Sequence, residues 1–117
     1  MSAIDKLIEI ANAEVGYLEK SSNSQLDSKT ANAGTANYTK YWRDIKPEYQ
    51  GQPWCACFVS WCANEAGLID SGIVPKAAAV RAYHRYYADK GRFHYASEGY
   101  TPQPGDFIVF GQDTHIG

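Results

Sequence analysis

Apolar residues recur at helical spacing in three stretches of the chain, and at strand spacing only near its end. Ile4, Leu7, Ile8, Ala11 and Val15 fall on one face until Gly16, and Ser2 with Asp5 has the form of a helix-capping pair. The pattern then lapses: residues 19–37, EKSSNSQLDSKTANAGTAN, are small and polar and read as a long loop. A loop of that length in a compact domain is usually functional or partly disordered. YTKYWRDI, residues 38–45, predicts a short helix that gathers Tyr38, Tyr41 and Trp42, and KPEYQGQP breaks it. A second long helix starts at Pro53 or Trp54 and runs to Ala66, with Gly67 as terminator, because proline suits a first helical turn and glycine the position after the last.

Residues 76–90 form a third amphipathic helix closed by Gly91, in which Tyr83, Tyr86 and Tyr87 are expected at the core and its rim. RFHYA reads as a short strand. Pro104 and Gly105 make a turn before an apolar strand from Asp106 to Phe110, and THIG opens another strand. Helices come first and strands last. That segregation predicts an α+β domain with the cysteine-bearing helix packed on an antiparallel sheet.

The totals fit one such unit. At 117 residues the chain suffices for a single core. With 44% hydrophobic and 21% charged residues it is ordinary for a globular protein. No apolar run approaches the roughly 20 residues a membrane span requires, and the first residues carry no basic leader and apolar block. The expected location is therefore the cytoplasm before any release. A net charge of −2 and a pI near 5.8 give no footprint for nucleic acid or an anionic membrane, so neither is an expected partner.

Candidate chemistry centres on GQPWCACFVSWC, residues 51–62. The three cysteines, Cys55, Cys57 and Cys62, are odd in number and poorly placed for bridging on one helix. Zinc is disfavoured because Cys55 and Cys57 point about 200° apart and no second pair supplies ligands. A thiolate is favoured by unpaired N–H groups and the positive dipole end at a helix N-terminus, where Cys55 stands. Cys57 and Cys62 are expected to be buried packing residues. Of the histidines, His84 reads as structural within its helix, His94 as an ordinary strand or loop residue, and His115, which could project from the sheet toward a helix end, as the best general base.

Trp54-Cys55-Ala56-Cys57-Phe58-Val59, the turn Pro104-Gly105-Asp106 and His115-Ile116-Gly117 together resemble the CHAP domain, the cysteine- and histidine-dependent amidohydrolase/peptidase group related to the NlpC/P60 papain-like class. EVGYLEK and NYTKYWRDI also look like its bacterial and phage lytic branch. The resemblance implies a papain-like fold of N-terminal helices on a C-terminal sheet. It implies hydrolysis of an amide bond in bacterial peptidoglycan, by a monomer acting at the wall. Cys55 would attack, His115 would carry the proton, and N–H groups at the helix start would hold the oxyanion.

The family's third polar residue, on the strand after the histidine strand, has no counterpart before Gly117. Residues 1–117 are therefore expected to be one CHAP-like domain lacking its C-terminal strands, with little turnover. Asp113 is expected to serve as a turn acceptor rather than as that third group. Gln52 and Trp54 are candidate walls of a substrate groove, with packing the first expectation for Trp54. No cofactor is expected. Some family members bind calcium upstream of the cysteine, and Asn23, Asp27, Asn32 and Asn37 offer oxygens here, but without the alternating acidic pattern of a strong site. Two other readings compete: an inactive wall-binding or structural module, and a cysteine amidase acting on a small cytosolic substrate.

Overall fold

The structure, a computed structural model, describes residues 2–117. Four α-helices precede one antiparallel pair of short strands: α1 Ala3–Ala13, α2 Lys40–Ile45, α3 Cys55–Glu65, α4 Val80–Asp89, β1 Val109–Phe110 and β2 His115–Ile116. The α+β class and the order of elements are as expected. No helix among the described residues is long and apolar enough to cross a membrane.

Helix α3 is the centre. Ala56, Cys57, Val59, Ser60, Trp61, Cys62 and Ala63 are all buried, so it has almost no solvent face. An all-round buried helix needs neighbours on every side. Here α1, α2, α4 and β2 all pack against it. Helix α2 is short, but Thr39 caps it by accepting from Trp42 N–H at 3.1 Å, a contact worth about 1 kcal/mol. It delivers Tyr41 and Trp42 to the core, each 1% exposed. Tyr41 is an aromatic hub, with ring centroids 4.9 Å from Tyr17, 5.4 Å from Trp54, 4.9 Å from Phe58 and 5.1 Å from Trp61.

Three sequence expectations change. The expected amphipathic face of α1 is thinner, because only Leu7 is buried while Ile4 and Val15 are exposed. Helix α4 begins at Val80 rather than at residue 76, because the preceding segment is spent otherwise: Ser60 donates its hydroxyl to the Ala77 carbonyl, and Tyr83 O–H reaches the Pro75 carbonyl. RFHYA forms no strand. It leads into a 3-10 turn, Ala96–Glu98, where the Glu98 carboxylate accepts from Tyr95 N–H at 3.2 Å and pairs with His94 Nδ1 at 3.2 Å. His94 also stacks on Tyr100, with centroids 4.1 Å apart.

The strands are shorter than their apolar pattern. Val109 pairs with Ile116 and Phe110 with His115, and reciprocal hydrogen bonds between Ile108 and Gly117, at 2.7 and 2.9 Å, extend the ladder. Residues 106 and 107 lie before any partner strand. The turn ahead of them is as expected: Gly105 has φ +92°, and Asp106 accepts from Gln103 N–H and Tyr100 O–H, both at 2.8 Å. A Cβ at residue 105 would also stand 2.8 Å from Ile4 Cγ2, so α1 leans on this turn.

The polar loop is not loosely held. Lys20 is 0% exposed, and its backbone bridges to Ala33 and Tyr38. Its ammonium donates to the Ser28 carbonyl at 2.5 Å and lies 4.7 Å above the Tyr17 ring. Burial, with the charge of Lys40 second, lowers its pKa. Most of the oxygens considered for calcium have protein partners: Asp27 pairs with Arg43 at 2.9 Å, Asn32 accepts from Ser21 and donates to Ser22 and Ser24, and Asn23 accepts from Gln50.

Candidate active site

Cys55 is the first residue of α3 and is partly buried, while Cys57 is 0% and Cys62 3% exposed. The three thiols are free. Burial pushes the Cys57 and Cys62 thiols up to about 12, so both are held neutral. The 3.6-residue helical turn thus separates one partly buried cysteine from two that are fully packed, Cys57 and Cys62 being buried as the sequence predicts.

Trp54 is the N-cap of α3, at φ −115° and ψ 16°, and its side chain makes no capping hydrogen bond. The N–H groups of the first turn have no side-chain acceptor from that residue, and the positive end of the helix dipole stands beside Cys55. Trp54 is partly buried between Tyr41 and Phe58, so packing accounts for its ring. Its indole N–H is also engaged, donating to Glu19 Oε1 at 3.3 Å. Gln52 is exposed and lines an open groove of about 560 Å³ with Trp42, Glu48, Tyr49, Pro53 and Ala78. Its backbone carbonyl accepts from Trp42 Nε1 at 2.9 Å, which fixes the chain just ahead of Cys55.

His115 lies on β2, whose neighbour Ile116 is 2% exposed in the core around α3. Successive strand residues face opposite ways, so the exposed His115 stands on the face opposite Ile116. Its ring is 5.5 Å from that of Phe110. The structure brings the histidine strand onto the cysteine helix, but among the described residues no hydrogen bond joins Cys55 to His115.

Asp113 differs from its expected role as a turn acceptor. It holds a left-handed backbone conformation, φ +60°, and its carboxylate lies 2.8 Å from His84 Nδ1. It is thus committed to α4 and does not orient His115. His84 is stacked on Phe93 at 3.9 Å, with the Tyr95 hydroxyl 3.4 Å from its Nε2. The spacing of these residues along the chain carried no signal for this cluster. Nor does any sequence pattern single out Glu19 within residues 19–37.

A CHAP domain model matches residues 47–117, more than half of the chain and the whole stretch from the Gln52 segment through His115. The chain belongs to the CHAP family. CHAP domains are generally cysteine- and histidine-dependent amidohydrolases and peptidases with peptidoglycan-related functions. No curated protein and no solved structure matches the chain. Within the CHAP match lie one partly buried cysteine at a helix start and a histidine on the strand that packs against that helix.

Proposed function

We propose that this CHAP domain hydrolyses an amide bond of bacterial peptidoglycan, in the stem peptide, the cross-bridge or the muramoyl-alanine link, through a Cys55 thiolate. The observation that carries the reading is the sorting of the cysteines: Cys55 is only partly buried and stands at the N-terminus of α3, while burial holds the other two as neutral thiols. The fold reading is a papain-like arrangement, with the cysteine helix on a sheet that carries the histidine.

In the mechanism the Cys55 sulfur bonds to the amide carbonyl carbon, and the oxyanion is held by N–H groups of the first turn of α3. His115 takes the thiol proton and gives it to the nitrogen as the C–N bond breaks and the amine leaves. Water, deprotonated by the same imidazole, then cleaves the thioester to release the acid and restore the thiol. Gln52, exposed on the groove ahead of the helix, contacts the peptide. The reading requires His115 to come within reach of the sulfur once substrate is bound; catalytic hydrogen bonds often tighten only at that stage.

A second reading, a CHAP module that holds wall material without cutting it, is compatible with the absence, among the described residues, of a hydrogen bond between Cys55 and His115. Purified peptidoglycan separates the two. Release of new amino groups by the wild-type protein, lost in Cys55→Ala and in His115→Ala, supports hydrolysis. Protein that sediments with the wall and releases none supports the binding module. Cleavage of small amides with no action on the wall would point to a cytosolic amidase instead.

A further inference from the structure

The long polar loop has a definite end product: it fixes a carboxylate against the residue that precedes Cys55. Glu19 Oε1 accepts from Trp54 Nε1 at 3.3 Å, while Oε2 accepts from Asn37 N–H at 2.9 Å. Its own carbonyl accepts from Gly34 N–H at 3.1 Å. Next to it the buried Lys20 exchanges backbone hydrogen bonds with Tyr38, at 2.8 and 3.4 Å, and ties the loop to Ser28 through its ammonium. The return strand of the loop approaches so closely that a Cβ at Gly34 would lie 2.6 Å from Ser21 Cβ. Glu19 is therefore held on both its backbone and its free carboxylate oxygen before it meets the indole.

At the other end, Trp54 caps α3 without a side-chain capping bond, and its carbonyl accepts from Phe58 N–H at 2.8 Å, so the orientation of its indole bears on how the first turn is presented. We propose that Glu19 is a positioning residue for Cys55: by clamping the Trp54 indole it sets the entry of the chain into α3, and with it the direction of the sulfur and of the first-turn N–H groups. This rests on the reading of Cys55 as the reactive thiol. It gives residues 19–37 a task in the site although none of them touches the reacting atoms. Positioning of this kind matters because a displacement of about 1 Å at a reacting atom can cost on the order of a hundredfold in rate.

The test is the rate of Cys55 alkylation by iodoacetamide at fixed pH in the native protein, followed by mass spectrometry, for Glu19→Ala, Glu19→Gln, Trp54→Phe and the Glu19→Ala/Trp54→Phe double variant. Glu19→Ala and Trp54→Phe are each expected to slow the reaction about tenfold, and the double variant to be no slower than either, because both remove one contact. Glu19→Gln keeps an acceptor for only one of the two donors, the indole or Asn37 N–H, and is expected to recover only part of the rate lost in Glu19→Ala. A wild-type rate in Glu19→Ala, or losses that multiply in the double variant, would each overturn the clamp. Modification of all three cysteines in Glu19→Ala would show general loosening and overturn it as well. Wall hydrolysis that survives Cys55→Ala would instead remove the nucleophile reading, whatever happens at residue 19.

Discussion

His84 on α4 and Asp113 in the β1–β2 turn are joined by a 2.8 Å contact between Nδ1 and Oδ1, across 29 positions of sequence. The pair is mostly shielded, with side-chain exposures of 26% and 19%. A hairpin with two residues per strand has little capacity to fix itself, so its orientation depends on such ties and on Ile116 in the core. His84→Ala is expected to lower unfolding free energy by about 1 kcal/mol and to speed amide exchange at residues 111–114 while leaving α3 protected. Urea unfolding with an unchanged m-value, read with hydrogen exchange, checks both.

Native protein treated with a thiol reagent at pH 8 is expected to take up one label, on Cys55, and two more only after denaturation. The cause is burial of Cys57 and Cys62, which removes both access and ionisation. Peptide mapping of native and unfolded samples decides it.

The same two thiols set an alkaline limit. Each is raised in the folded state from an ordinary value of 9.0 to about 12, so between those values the unfolded chain has lost protons that the folded chain retains. Stability contributed by the neutral thiols is complete below pH 9 and is lost as pH rises toward 12, with a slope of about 1.4 kcal/mol per pH unit for each group. Buried Tyr41 and Tyr83, also raised chiefly by burial, act in the same direction at higher pH. Denaturation midpoints from pH 8 to 11 should fall, and fall less steeply in Cys57→Ala than in the wild type.

Ser60 is 0% exposed and binds the Ala77 carbonyl and the Tyr83 hydroxyl. Ser60→Ala leaves the Ala77 carbonyl without that donor and is expected to cost about 1–3 kcal/mol. Thermal unfolding of Ser60→Ala beside Ser60→Thr, which keeps a hydroxyl but adds a methyl, separates the lost bond from crowding.

Much of this was legible in the sequence because it depends on local rules. The start and stop of α3 follow from residue types near its ends, and the contrast between Cys55 and Cys57 follows from helical geometry alone. The Pro104-Gly105-Asp106 turn is equally local, since Gly105 takes a positive φ and Asp106 reaches back to Gln103. What was not legible is what depends on distant partners. Lys20 is charged and in a polar run, and only the fold supplies the Tyr38 backbone, 18 positions on, that pairs with it and helps to bury it. Glu19 meets Trp54 across 35 positions, and His84 meets Asp113 only once α4 lies beside the hairpin. The strand expected at RFHYA failed because side chains four residues apart, His94 and Glu98, close a local turn.

The chain's three tryptophans are Trp42, Trp54 and Trp61, and each indole N–H is spoken for: by the Gln52 carbonyl, by Glu19 and by Asp44. Two of the three rings also lie against Tyr41, one of them, Trp54, at the start of α3. Tryptophan emission therefore comes from the packing of α2 and α3 around Tyr41. The molecule carries its own optical gauge of whether that corner is assembled, readable without any attached dye.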